Sequence, residues 1–256
     1  MNGLPARTGL EWLKTGFALF RLQPGALTMI AFGNLLASIV LLSLPLLGPI
    51  LVLLSIPCWI VAIQQACLLI DNGQRVTPAV LLTGFRPGAI GPLSRLGVVY
   101  LGAIFVLLLA VSPWIDVDAL RQMAKAAQEN KTQARVGGGT MMALLAFFVL
   151  YGITTLSLCF APALVFWKRM PIFKAMFYSV FANVGALKAV LTMVGAWLAL
   201  TFTLVIIVMM LFGRSPLMFN VVAMWLQLIL MLILQCGIYA AYKQIIGAPD
   251  FSPEKT

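Results

Sequence analysis

The chain has 256 residues, 62% of them hydrophobic and only 9% charged, with a formal net charge of +10 and no histidine; its mean hydropathy is +1.04. Soluble globular chains are nearer half apolar and a quarter charged, so a water-soluble domain of any useful size is excluded and 1–256 reads as one transmembrane domain. Without histidine the commonest general base and metal ligand are missing, and the excess cations are assigned to the flanks of membrane spans rather than to nucleic acid.

In chain order, residues 8–22 form the first element. Leu10, Leu13, Phe17 and Phe20 share one face of a helix while Glu11, Lys14, Thr15 and Arg21 lie away from it, the pattern of a helix lying in the membrane interface. Charges at Arg7, Glu11, Lys14 and Arg21 leave no room for a cleavable signal peptide. From Gln23 to Ile70 there are 48 residues without a charge. As one helix they would extend about 72 Å, more than twice the hydrocarbon thickness. Pro45, Gly48 and Pro49 supply the break, giving spans at 24–44 and 48–70.

Four more charge-free spans follow, at 96–113, 140–166, 189–212 and 216–242. The expected fold is all-α and polytopic, six transmembrane helices arranged as three hairpins. The loop 114–139 is the one long polar excursion, with a short surface helix expected over Asp116–Glu129. Residues 171–184 read as a second interfacial helix, with Phe173, Met176, Phe177, Val180 and Val184 on one face and Lys174, Ala175, Tyr178, Ser179 and Ala182 on the other.

Twelve of the 17 lysines and arginines fall on the side that carries both termini, and five on the other, which places both termini in the cytoplasm. Candidate lipid-headgroup contacts on that side are Lys14, Arg21, Arg86, Arg95, Trp167, Lys168, Arg169 and Lys174, cations facing anionic lipid and an indole at headgroup level.

Polar or kinked positions at membrane depth are Asn34, Pro57, Gln64, Gln65, Pro162 and Gln235. The amides have two readings, hydrogen bonds between helices or the lining of a polar vestibule, and the prolines are gates or static kinks. No span contains an ionisable side chain among Asp, Glu, Lys and Arg, which argues against a proton-coupled pump. The four cysteines, Cys58, Cys67, Cys159 and Cys236, lie in apolar spans without CxxC spacing and behave as small hydrophobes. Catalytic, metal and cofactor sites are expected to be absent.

Three stretches, 17–30, 82–99 and 177–191, share a surface-helix-then-span pattern, and Gly-Ala-Leu recurs at 25–27 and 185–187. Repeats of this kind would be parallel, related by an axis along the membrane normal.

Gly16PheAlaLeuPheArgLeuGlnPro24, Thr77ProAlaValLeuLeuThrGlyPheArg86, and Ala161ProAlaLeuValPheTrp167 leading into Lys174AlaMetPheTyrSer179 together resemble a family of uncharacterised proteobacterial inner-membrane proteins with about six spans. The resemblance implies an inner-membrane location and brings no catalytic residues with it. The function expected is binding of anionic lipid or of a protein partner, a second copy included, as an accessory or assembly factor. The alternative is transport of a small amphipathic solute near Pro57, Gln64, Pro162 and Gln235.

Overall fold

The computed structural model describes residues 4–114 and 138–249, and every regular element among them is helical. The reading of Asp116–Glu129 as a surface helix lies outside the described residues. Among the described residues six helical segments are long and apolar enough to cross a membrane: Pro24–Leu42, Leu47–Asp71, Ile90–Trp114, Gly138–Trp167, Leu187–Phe212 and Pro216–Ile245. The chain divides into two compact units, Met1–Gly97 with Leu158–Thr256, and Val98–Ser157.

The larger unit opens with α1 (Arg7–Leu22), which a single residue, Gln23, separates from α2 (Pro24–Leu42). Proline in the first turn of α2 costs no hydrogen bond. The break read at Pro45–Pro49 falls at Ser43–Leu46, where Leu46 takes a left-handed φ of 64°. Gly48 then starts the return so close to α2 that a Cβ would lie 2.5 Å from the Leu41 carbonyl. α3 (Leu47–Asp71) carries Pro57 within it, fully enclosed.

The connection after α3 is not a surface loop. Gln23 clamps its start, donating to the Gln74 carbonyl at 2.7 Å and accepting from the Val76 amide at 3.0 Å. A 3-10 helix, Pro78–Phe85, then packs along α2 and α3. A Cβ on Gly84 would lie 2.6 Å from the Cys58 backbone, and Phe85 packs edge-on to Trp59 at 4.9 Å. Cys58 precedes Asp71 by 13 residues, about 20 Å along the helix. The segment therefore runs back along α3 before α4 (Ile90–Val111) begins. α4 starts six residues ahead of the charge-free window because Arg95 is helical and exposed.

In the smaller unit the end of α4 leads into a short 3-10 turn, Ser112–Trp114, and α5 spans Gly138–Ser157 with Phe147 packed on Phe148 and Tyr151. The fourth span is not one kinked helix. It breaks at Leu158–Phe160, and Pro162 sits in the first turn of a separate α6 (Ala161–Trp167), where its ring opposes no preceding helical carbonyl.

α7 (Ile172–Gly185), α8 (Leu187–Phe212) and α9 (Pro216–Ile245) complete the larger unit. Arg169 turns the chain between α6 and α7 with φ 47°. Trp197 of α8 donates to the Leu230 carbonyl of α9 at 2.8 Å. α3 and α9 run in the same direction: Cys67 meets Cys236, and four residues on Asp71 meets Tyr239 and Lys243. The core lies at this end, where Leu19, Leu27, Ile30, Leu69, Leu232 and Tyr239 are packed together.

α1 and α7 are each held to the unit along a line of small and polar residues, to which α1 adds Trp12 and Leu19. In α1 the buried residues are Thr8, Gly9, Trp12, Gly16 and Leu19, packed on α8 and α9, while Leu10 and Phe17 are exposed. In α7 they are Ala175, Ser179 and Asn183, packed against α6, while Phe173, Phe177, Phe181 and Val184 are exposed.

Candidate functional site

Two places in the larger unit carry polar chemistry: the end of the bundle at Asp71, and a crevice further along α3. At the first, Asp71 Oδ2 accepts from Tyr239 Oη at 2.8 Å and from Lys243 Nζ at 2.6 Å. The Asp71 and Lys243 side chains are 26% and 48% exposed, so their ion pair is worth about 0–1 kcal/mol. The bond from Tyr239, whose ring is buried, matters more. Asp71→Ala is expected to cost about 1–2 kcal/mol of stability and Lys243→Met less than half of that, as read by denaturant unfolding in detergent; equal losses would assign the stabilisation to the ion pair.

Close by, the Cys67 and Cys236 sulfurs approach to 2.8 Å, both free and buried. Gln65 Oε1 accepts from Trp167 Nε1 at 2.9 Å, so of the two readings for this amide, pairing between helices applies. Trp167 is half-buried, with its ring 5.1 Å from Tyr242 and 6.2 Å from Tyr239. Its ring thus packs at the core end. Gln64 is fully buried, and among the described residues neither of its amide atoms has a hydrogen-bond partner, nor do Gln235 Oε1 and the Tyr242 hydroxyl.

The cations divide into two groups. Lys168 donates from Nζ to the Ile246 carbonyl at 3.3 Å, at the C-terminus of α9, where a positive charge is favoured. Lys174 lies 5.9 Å over the Tyr178 ring, and the Arg21 guanidinium 5.8 Å over Phe17. Lys14 and Arg169 are exposed. Arg86 and Arg95 do not join them. Arg86 follows the Phe85–Trp59 contact and Arg95 precedes Gly97, whose place is against Leu54 of α3. Both are displaced along α3 from the Asp71 end.

The crevice lies between α2, α3 and α9 and has a volume of about 350 Å³. Asn34 and Ser38 line it from α2, Trp59 and Ile60 from α3, and Met231 and Gln235 from α9. Ser38 Oγ donates to Asn34 Oδ1 at 3.3 Å, and Trp59 Nε1 donates to Ser55 Oγ at 2.9 Å. Of the six intramembrane positions singled out from the sequence, Asn34 and Gln235 meet here. Pro57 and Gln64 are buried in α3 beside it, whereas Gln65 and Pro162 belong to the α3–α6 contact and the start of α6. Ser38 and Trp59 had no sequence signal beyond residue type, because their convergence depends on the α2–α3 register.

No protein-family model and no solved structure matches the chain. A curated protein does: a "probable inner membrane protein" of Burkholderia thailandensis is 29% identical over 260 residues, which cover 96% of this chain and 93% of that protein. The chain is thus similar, almost end to end, to a proteobacterial inner-membrane protein, and it shares with the family named from its motifs a set of six apolar helices.

Proposed function

We propose that the protein is a non-catalytic, multi-pass inner-membrane protein with both termini in the cytoplasm, which binds anionic lipid there as an accessory or assembly factor. The observation that carries the reading is the side of α7 left uncovered. Its small and polar face, Ala175, Ser179 and Asn183, is attached to the protein, while Phe173, Phe177, Phe181 and Val184 are exposed. Four large apolar side chains on one short helix forgo about 1.5–3 kcal/mol each if they face water, so the medium beside them is hydrocarbon. Lys174 on the same helix and Lys168 and Arg169 just before it are exposed, which sets cations at phosphate level beside a greasy stripe. α1 repeats the design with Leu10, Phe17, Lys14 and Arg21.

The test is native mass spectrometry of the purified protein with cardiolipin and phosphatidylglycerol. Each cation near an anionic surface contributes about 1 kcal/mol, so the triple variant Lys168→Gln, Arg169→Gln, Lys174→Gln is expected to retain at least about tenfold less anionic lipid. Unchanged retention would overturn the reading.

A further inference from the structure

The crevice between α2, α3 and α9 has a chemistry different from that of the cationic surface. Its lining includes no Asp, Glu, Lys or Arg; the polar groups are Asn34, Ser38, Trp59 and Gln235, and the rest is aliphatic or Met231. A charge brought there would be buried without a counter-ion, which is expensive in an apolar medium. Carboxylates, phosphates and ammonium groups are therefore excluded as occupants.

The polar groups also set the sign of the hydrogen bond. Trp59 has already given its one N–H to Ser55 Oγ, and Phe85 supports its ring from the other helix. Ser38 gives its proton to Asn34 Oδ1. Gln235 Oε1, by contrast, is a carbonyl oxygen withdrawn from solvent with no donor. Leaving such an acceptor unmade costs about 1–3 kcal/mol, and a lipid tail beside it offers no hydrogen. The group that completes Gln235 Oε1 is a donor: a hydroxyl or an amide N–H. The volume of about 350 Å³ lies at the lower end of the range for small-molecule sites, about 300–1,000 Å³, which suits one hydrocarbon chain rather than two.

We propose that this crevice is a binding site for a neutral, single-chain amphipath, a hydrocarbon chain ending in a hydroxyl or amide, whose donor group bonds to Gln235 Oε1 while its chain lies against Trp59, Ile60 and Met231. The site does not depend on the cationic surface, and the two stand or fall separately.

The experiment uses the full chain in nanodiscs of phosphatidylcholine, which removes anionic lipid, and a 12-carbon monoacylglycerol carrying a diazirine in its chain. Photolysis is expected to label α2, α3 or α9 at crevice residues. Unlabelled 1-dodecanol is expected to compete, and dodecanoate at pH 8, with the same chain and a charged end, to compete at least about tenfold less well. Gln235→Leu keeps the volume and removes the acceptor; it is expected to weaken labelling about fivefold, the equivalent of one ordinary hydrogen bond, with a melting temperature no lower than that of the wild type. Label spread over the outer faces of the spans, dodecanoate competing as well as dodecanol, or a folded Gln235→Leu protein labelled like the wild type would each overturn the proposal. Should Gln235→Leu not fold, the dodecanol–dodecanoate comparison on the wild-type protein decides.

Discussion

Gly16→Leu is expected to detach α1 from α8 and α9 and to leave most of the protein unfolded or aggregated after extraction into detergent. The reason is backbone, not side chain. A Cβ at Gly16 would lie 2.6 Å from the Gly237 amide nitrogen and 2.6 Å from the Ile233 carbonyl oxygen, and neither can rotate away. Seven residues earlier, on the same face, a Cβ at Gly9 would overlap the Ala189 carbonyl. Between the two glycines Trp12, 2% exposed, donates its indole N–H to Gln244. Helices in lipid gain little by hiding apolar surface from one another, so close approach at small residues is what joins them. Overpacking of about one methyl typically costs 1–3 kcal/mol; Gly16→Ala is expected at the upper end of that range, and leucine beyond it. Gly25→Ala is the control: nothing lies within 4 Å of its Cβ position, and replacing a helical glycine with alanine gains about 0.5–1 kcal/mol. Size-exclusion chromatography after a heat step separates the outcomes. A Gly16→Leu protein melting within about 2 °C of the wild type, the shift that only about 1 kcal/mol produces in a chain of this size, would mean that α1 is not docked on α9.

That face was the part of the fold least legible in the sequence. The spans could be read because hydrocarbon excludes charge: α2, α8 and α9 begin within two residues of the starts expected from charge-free windows. α4 begins earlier, since a helix may carry an exposed arginine such as Arg95 in its first turns. In water the large apolar stripe of a helix packs and the small polar one is solvated; here Phe17 and Phe177 are exposed while Gly16 and Ser179 pack, together with Trp12 and Leu19. Helices lie over Arg7–Leu22 and Ile172–Gly185, close to the ranges expected, but which side touches protein is set by packing that the hydropathy pattern does not encode. The sequence marks 82–99 as part of a surface-helix-then-span pattern, but nothing in it marks Pro78–Phe85 as a 3-10 helix packed against α3. Its packing rests on Gly84 meeting Cys58 and Phe85 meeting Trp59, long-range pairings that no local pattern encodes. The same limit applies to the polar sites. Asn34, Gln64, Gln65 and Gln235 were visible as amides in apolar runs, yet Gln65 found Trp167, 102 residues away, while Gln64 found nothing. α3 and α9 run in parallel with a cysteine of each at their contact, a pairing between residues 169 apart that no local pattern marks.

Trp167→Ala is expected to be the most damaging single truncation at the Asp71 end. The indole edge packs between two tyrosines, 5.1 Å from Tyr242 and 6.2 Å from Tyr239, and removal of a fully buried tryptophan to alanine costs about 3–5 kcal/mol, an upper bound for the half-buried Trp167. It also strips Gln65 Oε1 of its donor, which adds about 1–3 kcal/mol where water does not enter. Trp167→Phe separates the two contributions: the ring contacts survive, the bond to Gln65 does not, and a loss of about 1–2 kcal/mol is expected. The two roles open to this residue then diverge in measurement. A headgroup anchor would lose anionic lipid in both variants while the unfolding midpoint stayed near that of the wild type. A core residue would lose stability in the order Ala, then Phe, with lipid retention per folded molecule unchanged in the phenylalanine variant. The second pattern is expected because the one polar atom of Trp167 is already committed to Gln65.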